Sequence, residues 1–184
     1  MARIDWNISS KHRMNIRYSQ VEGSSPSPIS TSTSGSGYSF PSNGGRNNNA
    51  NTHLYFRNSS YRQGANFYSL AFELNSQLSQ RLSNVLRATY TYQNDSRETD
   101  SQIFPLVDIL KDGTAFTSFG YEPFSAGNLR KVKMYNITNN LTYTAGKHVV
   151  TAGFQAEFSK TTNGFQRFAT GYFVYNSWDD FVSA

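Results

Sequence analysis

The sequence predicts an all-β protein of antiparallel, up-and-down strands. Three observations predict it. Apolar residues recur at every second position along six segments. The connections between those segments alternate between tight turns and long loops. The composition is low in charge (16%) yet rich in rings (15%), a balance foreign to an average soluble domain.

The first segment sets Ile4, Trp6 and Ile8 against Asp5, Asn7 and Ser9. After Ser10-Lys11-His12 the pattern restarts as Met14, Ile16 and Tyr18 against Asn15, Arg17 and Ser19. The third runs Tyr68, Leu70, Phe72, Leu74 against Ser69, Ala71, Glu73. The fourth sets Leu86, Ala88, Tyr90 and Tyr92 against Arg87, Thr89 and Thr91. The fifth carries Tyr135, Ile137, Leu141 and Tyr143, with Asn139 breaking the apolar row. The sixth reads Val150, Ala152, Phe154, Ala156, Phe158 against Thr151, Gly153, Gln155, Glu157. A period of two puts each set on one face of a strand.

These segments form hairpins over residues 2–22, 66–93 and 131–159, within a single β-barrel domain spanning the chain. Long loops occupy residues 24–65, 94–130 and 160–184. Structureless loops longer than about 15 residues are uncommon in compact soluble domains. In an up-and-down sheet, alternate connections lie on one side, so the short turns share one end and the long loops the other. Such asymmetry describes a transmembrane β-barrel with short periplasmic turns and long extracellular loops. In hydrocarbon every backbone polar group must be paired, which forces a membrane sheet to close.

On that reading Ile4, Trp6, Ile8, Met14, Ile16, Tyr18, Leu70, Phe72, Leu86, Ile137, Leu141, Phe154 and Phe158 face lipid. Arg17, Glu73, Arg87, Gln155 and Glu157 face the lumen. Rings near strand ends, among them Tyr68, Tyr90, Tyr92 and Tyr143, suit interfacial girdles. About eight strands are the fewest that close a single-chain barrel, so the expectation is a partial barrel of about six strands. The opening residues lack an apolar signal segment, and the last residues form no terminal aromatic strand. The expected parent is therefore a larger barrel of the Gram-negative outer membrane.

Composition removes other classes. With no cysteine there is no disulfide scaffold, thiolate metal site or cysteine nucleophile. No run approaches the 18 apolar residues of a spanning helix, and mean hydropathy is -0.58. The net charge of +5 is dispersed, apart from Lys11-His12-Arg13 and Arg130-Lys131-Lys133, so nucleic acid is not an expected partner. His12, His53 and His148 have no partners at ligand spacing and read as solvated surface side chains, so no metal site is expected. Asp179-Asp180 beside Asp108 or Asp112 is the best place for a calcium ion, without EF-hand spacing to support it. No Gly-x-Ser-x-Gly elbow or phosphate-binding glycine loop occurs, and neither enzyme nor cofactor is expected.

The loops are rich in rings. Tyr38, Phe40, Phe119, Tyr121, Phe124, Tyr172, Tyr175 and Trp178 are placed outside the regular strands and are candidates for gripping a sugar or peptide. The competing reading makes them the small core of a folded loop region.

The hairpin Ile4-Asp5-Trp6-Asn7-Ile8-Ser9 with Arg13-Met14-Asn15-Ile16-Arg17-Tyr18-Ser19 resembles barrel hairpins of TonB-dependent receptors. The similarity is closest to the Oar-like and SusC-like group, which carries an N-terminal carboxypeptidase-regulatory-like domain. The stretches Phe104–Gly113, Ser118–Ser125 and Gly171–Phe181 are similar to extracellular loops of that group. The resemblance implies a barrel of about 22 strands around a plug. It implies uptake of a nutrient ligand (glycan, peptide or chelate), TonB contacted through a segment not in this chain, and a possible surface lipoprotein partner. The rival expectation is a soluble or surface-displayed β-sheet module that binds glycan or peptide through its aromatic loops.

Overall fold

Alternation along the chain builds one long antiparallel sheet, and the segments between its hairpins fold as well. The computed structural model describes residues 1–41 and 45–184. In chain order its strands are β1 (Ala2–Asn7), β2 (His12–Val21), β3 (Ser24–Ser27), β4 (Leu54–Tyr55), β5 (Tyr61–Gly64), β6 (Asn66–Gln77), β7 (Leu82–Asn94) and β8 (Arg97–Glu98). There follow β9 (Leu106–Lys111), β10 (Thr114–Phe119), β11 (Leu129–Ala145), β12 (His148–Gly164) and β13 (Tyr172–Tyr175), then helix α1 (Trp178–Ser183). A 3-10 turn at Arg57–Ser59 separates β4 from β5.

The chain divides into two compact units. The first comprises residues 1–23, 65–94 and 131–162 and holds a six-stranded sheet ordered β1-β2-β6-β7-β11-β12. Each neighbour follows its predecessor among the long strands, the up-and-down order expected from the short turns. Among the described residues the sheet stops at two edges, β1 and β12, and is not closed. β11 and β12 each run 17 residues. Gly153 of β12 faces the backbone of its neighbour so closely that a Cβ would lie 2.4 Å from the Asn139 carbonyl oxygen. Ile8 falls outside β1, because a tight turn with a hydrogen bond from the Ser9 amide to the His12 carbonyl (3.2 Å) begins there.

The second unit comprises residues 24–64, 95–130 and 163–184, the segments expected to be structureless loops. They form a four-stranded sheet, β13-β9-β10-β4, and a three-stranded one, β3-β5-β8. Their core is Ile29, Leu106, Val107, Ile109, Leu110, Ala115 and Phe124. The run Leu106-Val107-Asp108-Ile109-Leu110 is covered on both faces, which is why it reads as a block rather than as alternation. Phe119, Tyr172 and Tyr175 therefore lie in strands β10 and β13, and Trp178 in α1, rather than in irregular loop. At Gly120 (φ +105°) a Cβ would fall 2.1 Å from the Pro105 carbonyl oxygen, so the chain reversal after β10 needs glycine.

Candidate functional site: two sheet faces and a folded loop unit

Cross-strand register decides which side chains share a face. Ile4 stands opposite Ile16, Ile16 opposite Phe72, Phe72 opposite Ala88, and Ala88 opposite Ile137. A parallel row reads Trp6, Met14, Leu74, Leu86, Asn139, and another Tyr18, Leu70, Tyr90, Tyr135. The Thr142–Thr151 hydroxyl contact (3.0 Å) puts those two residues on the opposite face. Phe154 and Phe158 therefore share a face with Ile137 and Leu141. Every strand residue predicted for the apolar face falls in this one set. Among the described residues it is open to solvent at both edge strands, where Ile4 is 68% exposed, Phe154 60% and Phe158 67%, and half-exposed at Met14, Ile16, Phe72 and Leu86. An uncovered apolar face spanning six strands has no place in water.

Rings border the set toward the ends that lead into the long segments. Tyr68 and Tyr92 stack at 5.9 Å, and Tyr90 meets Tyr135 at 5.0 Å. Tyr68 donates its hydroxyl to Glu22 (2.6 Å), and Lys133 stands opposite Tyr92. At the other end the same face carries polar side chains that satisfy one another. Asn84 and Asn139 exchange amide hydrogen bonds (2.9 and 3.1 Å), and His12 Nδ1 meets Ser76 Oγ at 2.9 Å.

The reverse face carries the charges. Arg87 bonds Glu73 across the β6–β7 pair at 2.6 Å, and Asn75 donates to the same carboxylate. Arg3 holds Asp5 with two 2.8 Å bonds, and Arg13 approaches Asp5 at 3.7 Å. Arg17 lies opposite Arg3, in that same set, and register places Gln155 and Glu157 on the face of Thr151. Polarity is thus segregated between the faces as in a wall with lipid on one side and water on the other.

In the second unit the notable centre is polar and buried. Asp108, with its side chain fully enclosed, pairs with the equally buried Arg46 at 2.9 Å. It accepts a 2.6 Å bond from Tyr172 Oη and a short one from Ser118 Oγ. His53 Nε2 meets that Ser118 hydroxyl at 2.7 Å, and its Nδ1 meets the Asn47 carbonyl. His53 is thus a buried network member rather than a solvated side chain. Burial holds its pKa below the usual 6.5, while burial and then Asp108 push the Tyr172 phenol far above its usual value. Asp108 is accordingly committed to Arg46, which leaves Asp112 as the other carboxylate considered for a calcium ion beside Asp179-Asp180. Among the described residues no group of three His, Asp or Glu side chains could hold a metal ion.

A depressed histidine pKa has a defined consequence. The unfolded chain takes up a proton near pH 6.5 while the folded unit resists it, so stability falls as pH drops below that value. The second unit should therefore lose stability steadily from about pH 6.5 downward, and His53→Gln should flatten that slope. Urea unfolding in a Trp6→Phe background, where Trp178 is the remaining tryptophan, followed by fluorescence at stepped pH measures both; an unchanged slope in the variant would refute this assignment.

The loop rings divide into two groups. Phe124 is buried and packs on the half-buried Phe168 (5.3 Å), which packs on the half-buried Tyr172 (4.8 Å), so Phe124 belongs to the core. Tyr38 and Phe40 pack edge to face at 5.1 Å, Tyr175 meets Phe181 at 5.2 Å, and Tyr121 is half-buried. Phe119 and Trp178 line an open cleft of about 670 Å³ together with Leu54, Phe56, Phe181, Arg57, Asn58 and Thr117. Trp178 is 60% and Phe56 51% exposed there. Phe56 and Phe181 carry no periodicity and were legible only once the segments had folded together.

A family model described as an outer membrane beta barrel domain matches residues 1–182. This chain belongs to that family. No curated protein and no solved structure matches it. The match to the outer-membrane barrel domain runs through both units, so the folded loop segments belong to the domain as much as the long sheet does. It places the protein in the outer membrane.

Proposed function

We propose that this outer-membrane barrel domain is a wall sector and loop region of a TonB-dependent receptor that takes up a nutrient ligand. The observation that carries the reading is the six-stranded sheet with one apolar face, one charged face and two unpaired edges. Six strands are too few to close a lipid-facing barrel, so further strands must pair with β1 and β12. On this reading Ile4, Trp6, Met14, Ile16, Tyr18, Leu70, Phe72, Leu86, Ile137, Leu141, Phe154 and Phe158 meet lipid. Arg17, Glu73, Arg87, Gln155 and Glu157 meet the plug or the passing ligand. TonB is reached through another segment of the parent protein, and no catalytic role is assigned. The resemblance of the Ile4–Ser19 hairpin to receptor hairpins favours this class over a simple pore.

The half-exposed rings of the Phe119–Trp178 cleft favour a role for the loop unit in first contact with the ligand, through its apolar or planar faces. A surface lipoprotein is a fitting partner for the same unit. Deleting the parent gene should abolish growth on one scarce nutrient and leave growth on small porin-permeable solutes intact. Growth unaffected on every large or chelated nutrient would refute the uptake reading.

A further inference from the structure

Toward the long segments, the apolar face of the sheet ends on a row that runs Gln20, Tyr68, Tyr92, Lys133 across β2, β6, β7 and β11. The row continues onto β12. Three observations along β11 and β12 keep one register: the Thr142–Thr151 hydroxyl contact, and the positions a Cβ would take at Gly153 (2.2 Å from Asn140 Oδ1) and at Gly164 (3.3 Å from Leu129 Cγ). That register sets Lys160 directly opposite Lys133, with Lys131 one step further along the same face of β11. All three lysines are exposed. Around them this face carries Tyr92, Asn94, Tyr135, Phe158 and Thr162, none of them acidic. Among the described residues none of the three forms an ion pair, and the carboxylate of Asp95, just after β7, is held by Arg130 at 2.6 Å. The β2 end of the row is different. There Glu22 accepts from Tyr68 Oη (2.6 Å) and Gln20 Nε2 (2.9 Å), so the chain supplies its own anion. Like charges directly opposite on a ladder are destabilising. Lys133 and Lys160 thus face each other without the anion that would relieve them.

We propose that Lys133 and Lys160 together hold a phosphate of an anionic lipid in the outer leaflet, with Lys131 adding to the field. The inference rests on the reading in which this face meets lipid and the long segments lie outside. One step toward the middle of the sheet the same face carries Tyr135 and Phe158, then Ile137 and Phe154, all exposed. Acyl chains and phosphate are therefore served by one continuous surface. Tyr92 and Tyr135 set the level, because rings collect where hydrocarbon meets headgroups. Lysine stems lie along apolar surface while their ammonium groups stay among the headgroups. A phosphate oxygen pair accepts from both ammonium groups at once, as charge-assisted hydrogen bonds. Lipid is favoured over free phosphate because a free anion gains nothing from Phe154 and Phe158.

The test uses the complete parent barrel, purified in neutral detergent, with heat-dependent gel migration as the check on folding. It is titrated with a bisphosphorylated diglucosamine lipid, with phosphatidylcholine and with inorganic phosphate, and retention is read by native mass spectrometry. A Lys near an anionic surface is worth roughly a factor of five. K133Q/K160Q should therefore bind the phosphorylated lipid about twentyfold more weakly than the unaltered barrel. K133Q and K160Q alone should each lose about fivefold, which keeps the site testable if the double variant misfolds. K133R/K160R, which keeps both charges, should stay within a few-fold, and so should K11Q/K147Q on the short turns. Equal retention by the unaltered barrel and a folded K133Q/K160Q overturns the site, leaves the barrel wall standing, and assigns the anion to a carboxylate on the strand that pairs with β12. Equal retention of phosphatidylcholine and the phosphorylated lipid overturns it too. Displacement by inorganic phosphate at the lipid's own affinity reassigns the pair to free phosphate and overturns the lipid assignment. A parent protein recovered folded without detergent overturns the membrane reading and the proposal with it. Failure of the nutrient-growth test alone leaves this site untouched, since it needs only the lipid-facing wall.

Discussion

Arg46→Ala should destabilise the loop unit by about 3–5 kcal/mol, the usual cost of stranding one member of a buried ion pair. Asp108 sits among Leu106, Val107, Ile109 and Leu110, all buried, and its other bonds come from the hydroxyls of Ser118 and Tyr172. Hydroxyls can solvate a carboxylate but cannot neutralise it. Removing the guanidinium therefore leaves a charge in the middle of the unit's core. Arg46→Ala combined with Asp108→Asn should recover much of the loss, because the second change removes the stranded charge. Urea unfolding followed by Trp178 fluorescence in a Trp6→Phe background measures both variants. A single-variant cost below about 1 kcal/mol would mean that the pair is not desolvated as its burial indicates.

Phe72→Arg should cost about 2–4 kcal/mol when the complete parent barrel folds into neutral phosphatidylcholine vesicles. Phe72 lies in the middle row of the apolar face, between Ile16 and Ala88, with the Tyr18–Leu70 row on one side and the Met14–Leu74 row on the other. No neighbouring carboxylate is on that face to receive the guanidinium. Ala71→Arg, one residue away on the face that already holds Arg17 and Arg87, should cost far less. Equilibrium folding yields in urea across a vesicle series compare the two. Similar costs for both would mean that the two faces do not meet different solvents.

The long sheet was legible because its strands have one wet and one apolar face, which writes a period of two directly into the sequence. Short turns then fixed the order of neighbours, and the register of Ile4, Ile16, Phe72 and Ile137 followed from hairpin geometry. Ile8 was misplaced by the same rule, since alternation continues for one residue into the turn that Ser9 and His12 close. The loop unit was not legible. Its strand Leu106–Lys111 is covered on both faces and shows no alternation. Its polar centre joins Arg46, His53, Asp108, Ser118 and Tyr172 from four separate stretches of chain, with no spacing to announce them. Tyr38 and Trp178 read alike in the sequence, and only packing separates a ring beside Phe40 from a ring that lines an open cleft.

The central claim is that one face of the long sheet meets hydrocarbon and the other meets water. The absence of cysteine from these 184 residues makes it directly measurable, since single cysteines can be placed without background from this segment. Cysteines substituted one at a time for Leu70, Ala71, Phe72, Glu73 and Leu74 in the outer membrane of intact cells should react in alternation with a small water-soluble maleimide. Positions 71 and 73 should label, while 70, 72 and 74 should stay unlabelled until the membrane is dissolved. Uniform labelling across all five positions would contradict the account.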